Sequence, residues 1–188
     1  QYATGSMGAN GNIYFAPFSA TKILRIRPTD NSYNFINVTA NGFGSGFFYG
    51  SACGPDGNVY FFPFNSGLVA RVDISSETSS TVFNSGLGSS STGTCAGCTL
   101  GLDGRIYGIP YNSGNTTTNK MFFYDVPNST GGVFDVSFNN TSPKWGGGVL
   151  ASNGLIYMIP FDSQTVGTIK TGIPKLQPWM LAPEFNKF

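Results

Sequence analysis

The stretch Pro55-Asp-Gly-Asn-Val-Tyr-Phe-Phe-Pro-Phe64 decides the fold. It joins a turn dipeptide, Asp56-Gly57, to a short run closed by Pro63 and Phe64. Asn-Gly and Asp-Gly between apolar runs are the strongest short-range signal for a β-hairpin. The run does not alternate between apolar and polar, so it reads as a strand covered on both faces rather than one half exposed to water. Proline cannot donate to a sheet ladder, so Pro63 belongs at the strand end or at a bulge.

Working outward, the arrangement recurs three more times, at Asn10-Gly11, Asp103-Gly104 and Asn153-Gly154, with spacings of 46, 47 and 50 residues. A tyrosine stands three residues after each glycine: Tyr14, Tyr60, Tyr107 and Tyr157. A proline stands six after (Pro17, Pro63, Pro110, Pro160) and an aromatic seven after (Phe18, Phe64, Tyr111, Phe161). Such register is the mark of a repeat protein. Each unit reads as four short strands, which predicts an all-β fold: a β-propeller of about four four-stranded blades of 46–50 residues, complete or part of a larger propeller. The repeats span about 4–45, 46–93, 94–143 and 144–172, with a tail at 173–188. A β-sandwich is the competing reading, but sandwiches do not repeat turn, tyrosine and proline in register. The third unit carries an insertion containing Asn115-Thr-Thr-Thr-Asn119, expected to protrude as a polar loop.

The fourth unit, Lys144-Trp-Gly-Gly-Gly-Val-Leu-Ala-Ser-Asn-Gly-Leu-Ile-Tyr-Met-Ile-Pro-Phe161, resembles a secreted β-propeller repeat widespread in algae and other microbial eukaryotes. The tail Trp179-Met-Leu-Ala-Pro-Glu-Phe-Asn-Lys-Phe188 is similar to the segment that closes such proteins. The first three units lack the Lys-Trp pair, and Cys53 stands where the family usually has an apolar residue. The resemblance spans essentially the whole chain. It implies the propeller fold and secretion, so the expected location is extracellular or at the cell surface; it assigns no activity.

Composition narrows the chemistry. Charged residues make up 10% of the 188 and the net charge is +1, which leaves no electrostatic footprint for nucleic acid. No apolar run approaches the ~20 residues of a helical membrane span. The absence of histidine excludes Ser-His-Asp and Cys-His catalysis and histidine-based metal sites. Cys95-Ala-Gly-Cys98 could be half a zinc site, a redox pair or a local disulfide. Zinc would need two further ligands that Cys53 alone cannot supply. The favoured expectation is a disulfide that includes Cys98, with Cys53 or Cys95 as partner, because Cys53 and Cys98 both fall on innermost strands of consecutive blades.

Sequons for N-linked glycans occur at Asn37, Asn115, Asn128, Asn139 and Asn140, and at most one of the last two is expected to be occupied because they crowd each other. Trp145 and Trp179 lie outside the repeating pattern and are the candidates for stacking on a glycan, whereas the recurring tyrosines and phenylalanines are expected to pack between blades. No pair among the nine carboxylates stands out as a glycosidase dyad. No cofactor, metal site or enzymatic activity is therefore expected. Two functions remain in competition. One is a structural or assembly module of a cell-surface or filamentous glycoprotein, with other copies or domains of that glycoprotein as partners. The other is a lectin-like glycan-binding propeller. The fourth repeat lacks a clear outer strand, so the chain is not expected to work as a solitary four-bladed ring.

Overall fold

A computed structural model describes residues 1–38, 48–87, 94–111, 120–135 and 145–172. They form a β-propeller arc of four antiparallel sheets, each in chain order. The first blade is β1 (Tyr2–Met7), β2 (Ile13–Pro17), β3 (Lys22–Arg27) and β4 (Ser32–Asn37). The second is β5 (Phe48–Cys53), β6 (Val59–Pro63), β7 (Leu68–Asp73) and β8 (Thr78–Asn84). The third is β9 (Cys95–Leu100), β10 (Arg105–Pro110), β11 (Lys120–Asp125) and β12 (Thr130–Asp135). The fourth has three strands among the described residues, β13 (Trp145–Leu150), β14 (Leu155–Pro160) and β15 (Gly167–Lys170).

The repeated motif acquires a physical explanation. At each turn only the glycine takes a positive φ, 77° at Gly11, 83° at Gly57, 81° at Gly104 and 78° at Gly154. The preceding Asn or Asp does not, so these are not the two-residue Asx-Gly turns that the sequence suggests. Gly57 N–H donates to the Gly54 carbonyl and Gly54 N–H to the Asn58 carbonyl, the pattern of a turn followed by a left-handed glycine bulge. The Asx side chain is thereby free to clasp its own hairpin. Oδ1 of Asp56 accepts the Asn58 N–H at 3.2 Å while Oδ2 accepts the Tyr60 hydroxyl at 2.9 Å. Asp103 does the same with Arg105 and Tyr107. In the first and fourth blades the amide of Asn10 or Asn153 donates to Tyr14 or Tyr157, each at 2.9 Å. The tyrosine four residues on is thus fixed by the turn it follows.

Each proline ends the second strand opposite a bulge in the first: Tyr2 faces Pro17, Phe48 faces Pro63, Cys95 faces Pro110 and Trp145 faces Pro160. The innermost strands pack in series, β1 on β5, β5 on β9 and β9 on β13. Glycine permits that approach, since a Cβ at Gly50 would lie 2.6 Å from the Gly97 carbonyl carbon. The series does not return from β13 to β1 on the same scale. Three apolar clusters fill the three junctions. Tyr14, Ile23, Phe61 and Val72 meet between the first two blades. Tyr60, Phe62, Ile106 and Phe122 meet between the second and third. Tyr107, Ile109, Trp145 and Met158 meet between the third and fourth.

None of the three cysteines is in a disulfide, which corrects the expected pairing with Cys98. Gly50, not Cys53, lies against Cys98. Cys53 is three residues further along its strand, about 10 Å at 3.3 Å per residue, beyond the 4.4–6.8 Å that bridged Cα atoms require. A similar length of strand separates Cys95 from Cys98. Cys95 and Cys98 instead line the second junction as small apolar groups, and burial pushes both thiols well above their ordinary range. Cys53 is also raised, by burial and by the nearby Asp56.

Candidate functional site: two open blade faces and an aromatic arc

Alternation along a strand gives every blade two faces. One carries the motif tyrosine and meets the following blade; the other meets the preceding blade. At the second junction Tyr60 lies 5.4 Å from Tyr124, and Phe62 stacks on Phe122 at 5.5 Å with 5° between the ring planes. The fourth blade presents the same tyrosine-bearing face, yet no described residue covers it. Tyr157 is 37% exposed and Ile159 52%, against 2% for Tyr60 and 0% for Phe62. Val149 stands beside Tyr157 in the ladder and is exposed with it.

On the first blade it is the opposite face that no described residue covers. Phe15 pairs with Leu24, Leu24 with Phe35, and Ile26 with Tyr33, so these side chains share the face turned away from the second blade. Met7 joins them opposite Ile13. Met7, Tyr33 and Phe35 are exposed, and the others are half-buried. The arc thus ends in two apolar faces of the kinds that meet at each internal junction.

Ion pairs sit at the rims of these contacts. Arg25 of the first blade, buried at the junction, donates to Glu77 of the second. Within the third blade Arg105 Nε donates to Asp125 at 2.9 Å and its guanidinium lies 4.7 Å above the Phe123 ring. Burial pulls Asp125 upward, but the hydrogen bonds from Arg105 and Asn128 outweigh it and hold the carboxyl below its usual range. Burial, then the bond to Asp103, pushes the Tyr107 hydroxyl up to about 12. Burial, then the neighbouring Asp56 carboxylate, raises the Tyr60 hydroxyl as well.

At the end opposite the glycine turns, the aromatic that follows each motif proline joins an arc across all four blades. Phe18 contacts Phe64 at 5.6 Å, Phe64 contacts Tyr111 at 5.5 Å and Tyr111 contacts Phe161 at 5.5 Å, while Tyr49 lies 5.5 Å from Phe64. Tyr49 and Phe161 are exposed and the others half-buried. The expectation that the recurring aromatics pack between blades holds for Tyr14, Tyr60 and Tyr107, each buried at a junction, but the arc also offers ring surface to solvent.

Trp145 is not a stacking platform. It is buried in the third junction, its indole N–H donating to the Thr165 carbonyl at 3.2 Å. Trp179 falls outside the described residues. Asn37 and Asn128 are exposed, the first at the end of β4 and the second in the β11–β12 turn, where its amide donates to Asp125. Asn115, Asn139 and Asn140 fall outside the described residues. Among the described residues no three Cys, Asp or Glu side chains form a group that could hold a metal ion. The motif alone does not show which side chains lie open, since the fourth unit carries the same turn, tyrosine and proline. The expectation of an unclosed ring comes instead from its missing outer strand.

No family model matches the chain, and no curated protein does. Solved structures do. The chain is similar to virginiamycin B lyase from Staphylococcus aureus (TM-score 0.67, 15% identity, 92% of this chain and 56% of that one). It is also similar to a streptogramin B lyase (TM-score 0.65, 13% identity, 94% and 56%). A third similar structure is the extracellular domain of a hybrid two-component system from B. thetaiotaomicron (TM-score 0.60, 14% identity, 90% and 20%). The chain spans about half the length of the two lyases. These likenesses correct the expectation that the chain is no enzyme. That expectation rested on missing histidine and carboxylate pairs, whereas lyases are among the proteins that share its architecture, and a fold does not fix an activity. At 13–15% identity they show one thing, that the chain has the fold of a β-propeller.

Proposed function

We propose that the chain is an extracellular structural module, an arc of propeller blades that joins other copies or other domains of a cell-surface or filamentous glycoprotein. The observation that carries this reading is the pair of open apolar faces at Tyr157–Ile159 and at Leu24–Phe35. A contiguous uncovered apolar face is an interaction surface or an aggregation hazard, and full closure is how propellers remove that hazard. The exposed sequons at Asn37 and Asn128, the likeness of the fourth repeat to secreted propeller repeats, and the extracellular neighbour from B. thetaiotaomicron support the location. The test uses the native protein. Enzymatic removal of N-glycans should lower its mass, with Asn37 or Asn128 among the modified sites, and cross-linking should join an open face to another blade. An intracellular chain without glycans or cross-links at either face overturns the reading.

The aromatic arc favours a second reading, a lectin-like propeller that stacks sugar rings on Tyr49 and Phe161. Reproducible micromolar binding on a glycan array, lost in Phe161→Ala, would support it; an array without binding would remove it.

A further inference from the structure

We infer that the open face of the fourth blade packs on the open face of the first blade in a second copy of this chain, with Ile159 against Leu24 and Tyr157 against Ile26. The inference rests on the assembly reading above and names its partner.

The internal junctions supply the template. Tyr107 pairs with Phe123 across β10 and β11 as Tyr14 pairs with Arg25 across β2 and β3. Phe122 and Tyr124 of the third blade therefore occupy the positions of Leu24 and Ile26 in the first. Phe122 and Tyr124 receive Phe62 and Tyr60, whose counterparts in the fourth blade are Ile159 and Tyr157. A copy of the chain carries both halves of the junction. Each half is apolar, as at the three junctions already filled.

The share of a ring argues for a second arc. The chain covers 56% of the virginiamycin B lyase structure, so close to half of such a ring is left for another arc to fill. Two four-bladed arcs make eight blades, at the upper end of the usual range of about 4–8. Two copies related by a two-fold along the propeller axis would fill both pairs of open faces at once, with no edge left to extend. A glycan at Asn37 is compatible with this packing. Asn37 pairs with Lys22 as Asn84 pairs with Leu68 and Asp135 with Lys120. Asn84 and Asp135 stay exposed although both of their blades have a neighbour on that side.

The experiment is oxidative cross-linking of the full chain carrying Leu24→Cys and Ile159→Cys, with each single variant as control for Cys53, Cys95 and Cys98. The expected result is a covalent dimer on a non-reducing gel from the double variant alone. Light scattering of the unmodified chain should give twice the chain mass, and Ile159→Glu should weaken association at least tenfold while circular dichroism stays unchanged. A ladder of larger multimers overturns the closed pair in favour of an open chain. A folded monomer without cross-links overturns the contact itself. If that monomer still comes from native material as a glycoprotein cross-linked to other blades, the assembly reading survives; if it is intracellular and unmodified, both fall.

Discussion

The strands β6 and β14 carry the same motif and meet opposite fates. Val59-Tyr-Phe-Phe-Pro63 is buried throughout, whereas Leu155-Ile-Tyr-Met-Ile-Pro160 buries Ile156 and Met158 and leaves Tyr157 and Ile159 to solvent. Both start from an Asx-Gly turn, both pair antiparallel on each side, and both hold the tyrosine hydroxyl through the Asx side chain. The difference is the next blade. A blade in a propeller is a unit whose local structure is self-sufficient and whose burial is supplied by its neighbours. Apolar content on both faces of a strand therefore specifies a place between blades, and leaves open which chain provides them.

The largest way to break the comparison is truncation. Phe62→Ala removes a fully buried ring stacked on Phe122 and should cost about 3–5 kcal/mol in urea denaturation. Ile159→Ala, measured on dissociated chains, should cost less than about 1 kcal/mol, because half of that side chain is already in water. Equal losses would mean that the fourth blade is covered within one chain.

A smaller effect comes from the tyrosine clasps. Tyr107→Phe leaves Asp103 Oδ2 without the 2.7 Å hydroxyl bond in a half-buried site, an expected loss of about 1–2 kcal/mol. Tyr157→Phe removes an exposed bond and should cost about 0.5 kcal/mol or less. Chemical denaturation of the two variants side by side distinguishes them.

Alkaline titration sharpens the contrast without mutating the core. The folded state favours the neutral phenols of Tyr107 and Tyr60. Their contribution is therefore complete below the ordinary value of 10.0; that of Tyr107 is lost as pH rises through about 12, and that of Tyr60, which is also raised, persists at least as far. Phenolate absorbance should show part of the signal delayed beyond pH 10, and Tyr60→Phe with Tyr107→Phe should remove that part. A single early transition would contradict the burial of both clasps.

The smallest expected effect lies at low pH. Asp125 is held below its usual range, so the stability it adds is present above about pH 4 and is lost as pH falls through its folded value. Asp125→Asn should flatten the acid limb of the stability curve, and an unchanged limb would place the effect elsewhere.

Much of this was legible in the chain. Turn glycine, tyrosine, proline and aromatic at fixed offsets gave four units and their second strands, because each feature is local: a left-handed glycine, a side-chain bond four residues long, a missing N–H. A small residue also stands three before each turn glycine: Gly8, Gly54, Gly101 and Ala151. Its reason is steric, since a Cβ at Gly54 would lie 2.6 Å from the Tyr60 ring.

What the sequence could not state is which surfaces face one another. Cys53 and Cys98 look bridgeable because both sit on innermost strands, yet the offset between β5 and β9 sets them about three residues apart, and offset between blades is a property of packing. Trp145 looks like an exposed outlier until the bulge opposite Pro160 turns it into the third junction. Local pattern determined the blade, because hydrogen bonds and backbone sterics act over a few residues. Tertiary structure decided which side chains lie on the two apolar faces left open among the described residues, because burial depends on whatever else is packed against them.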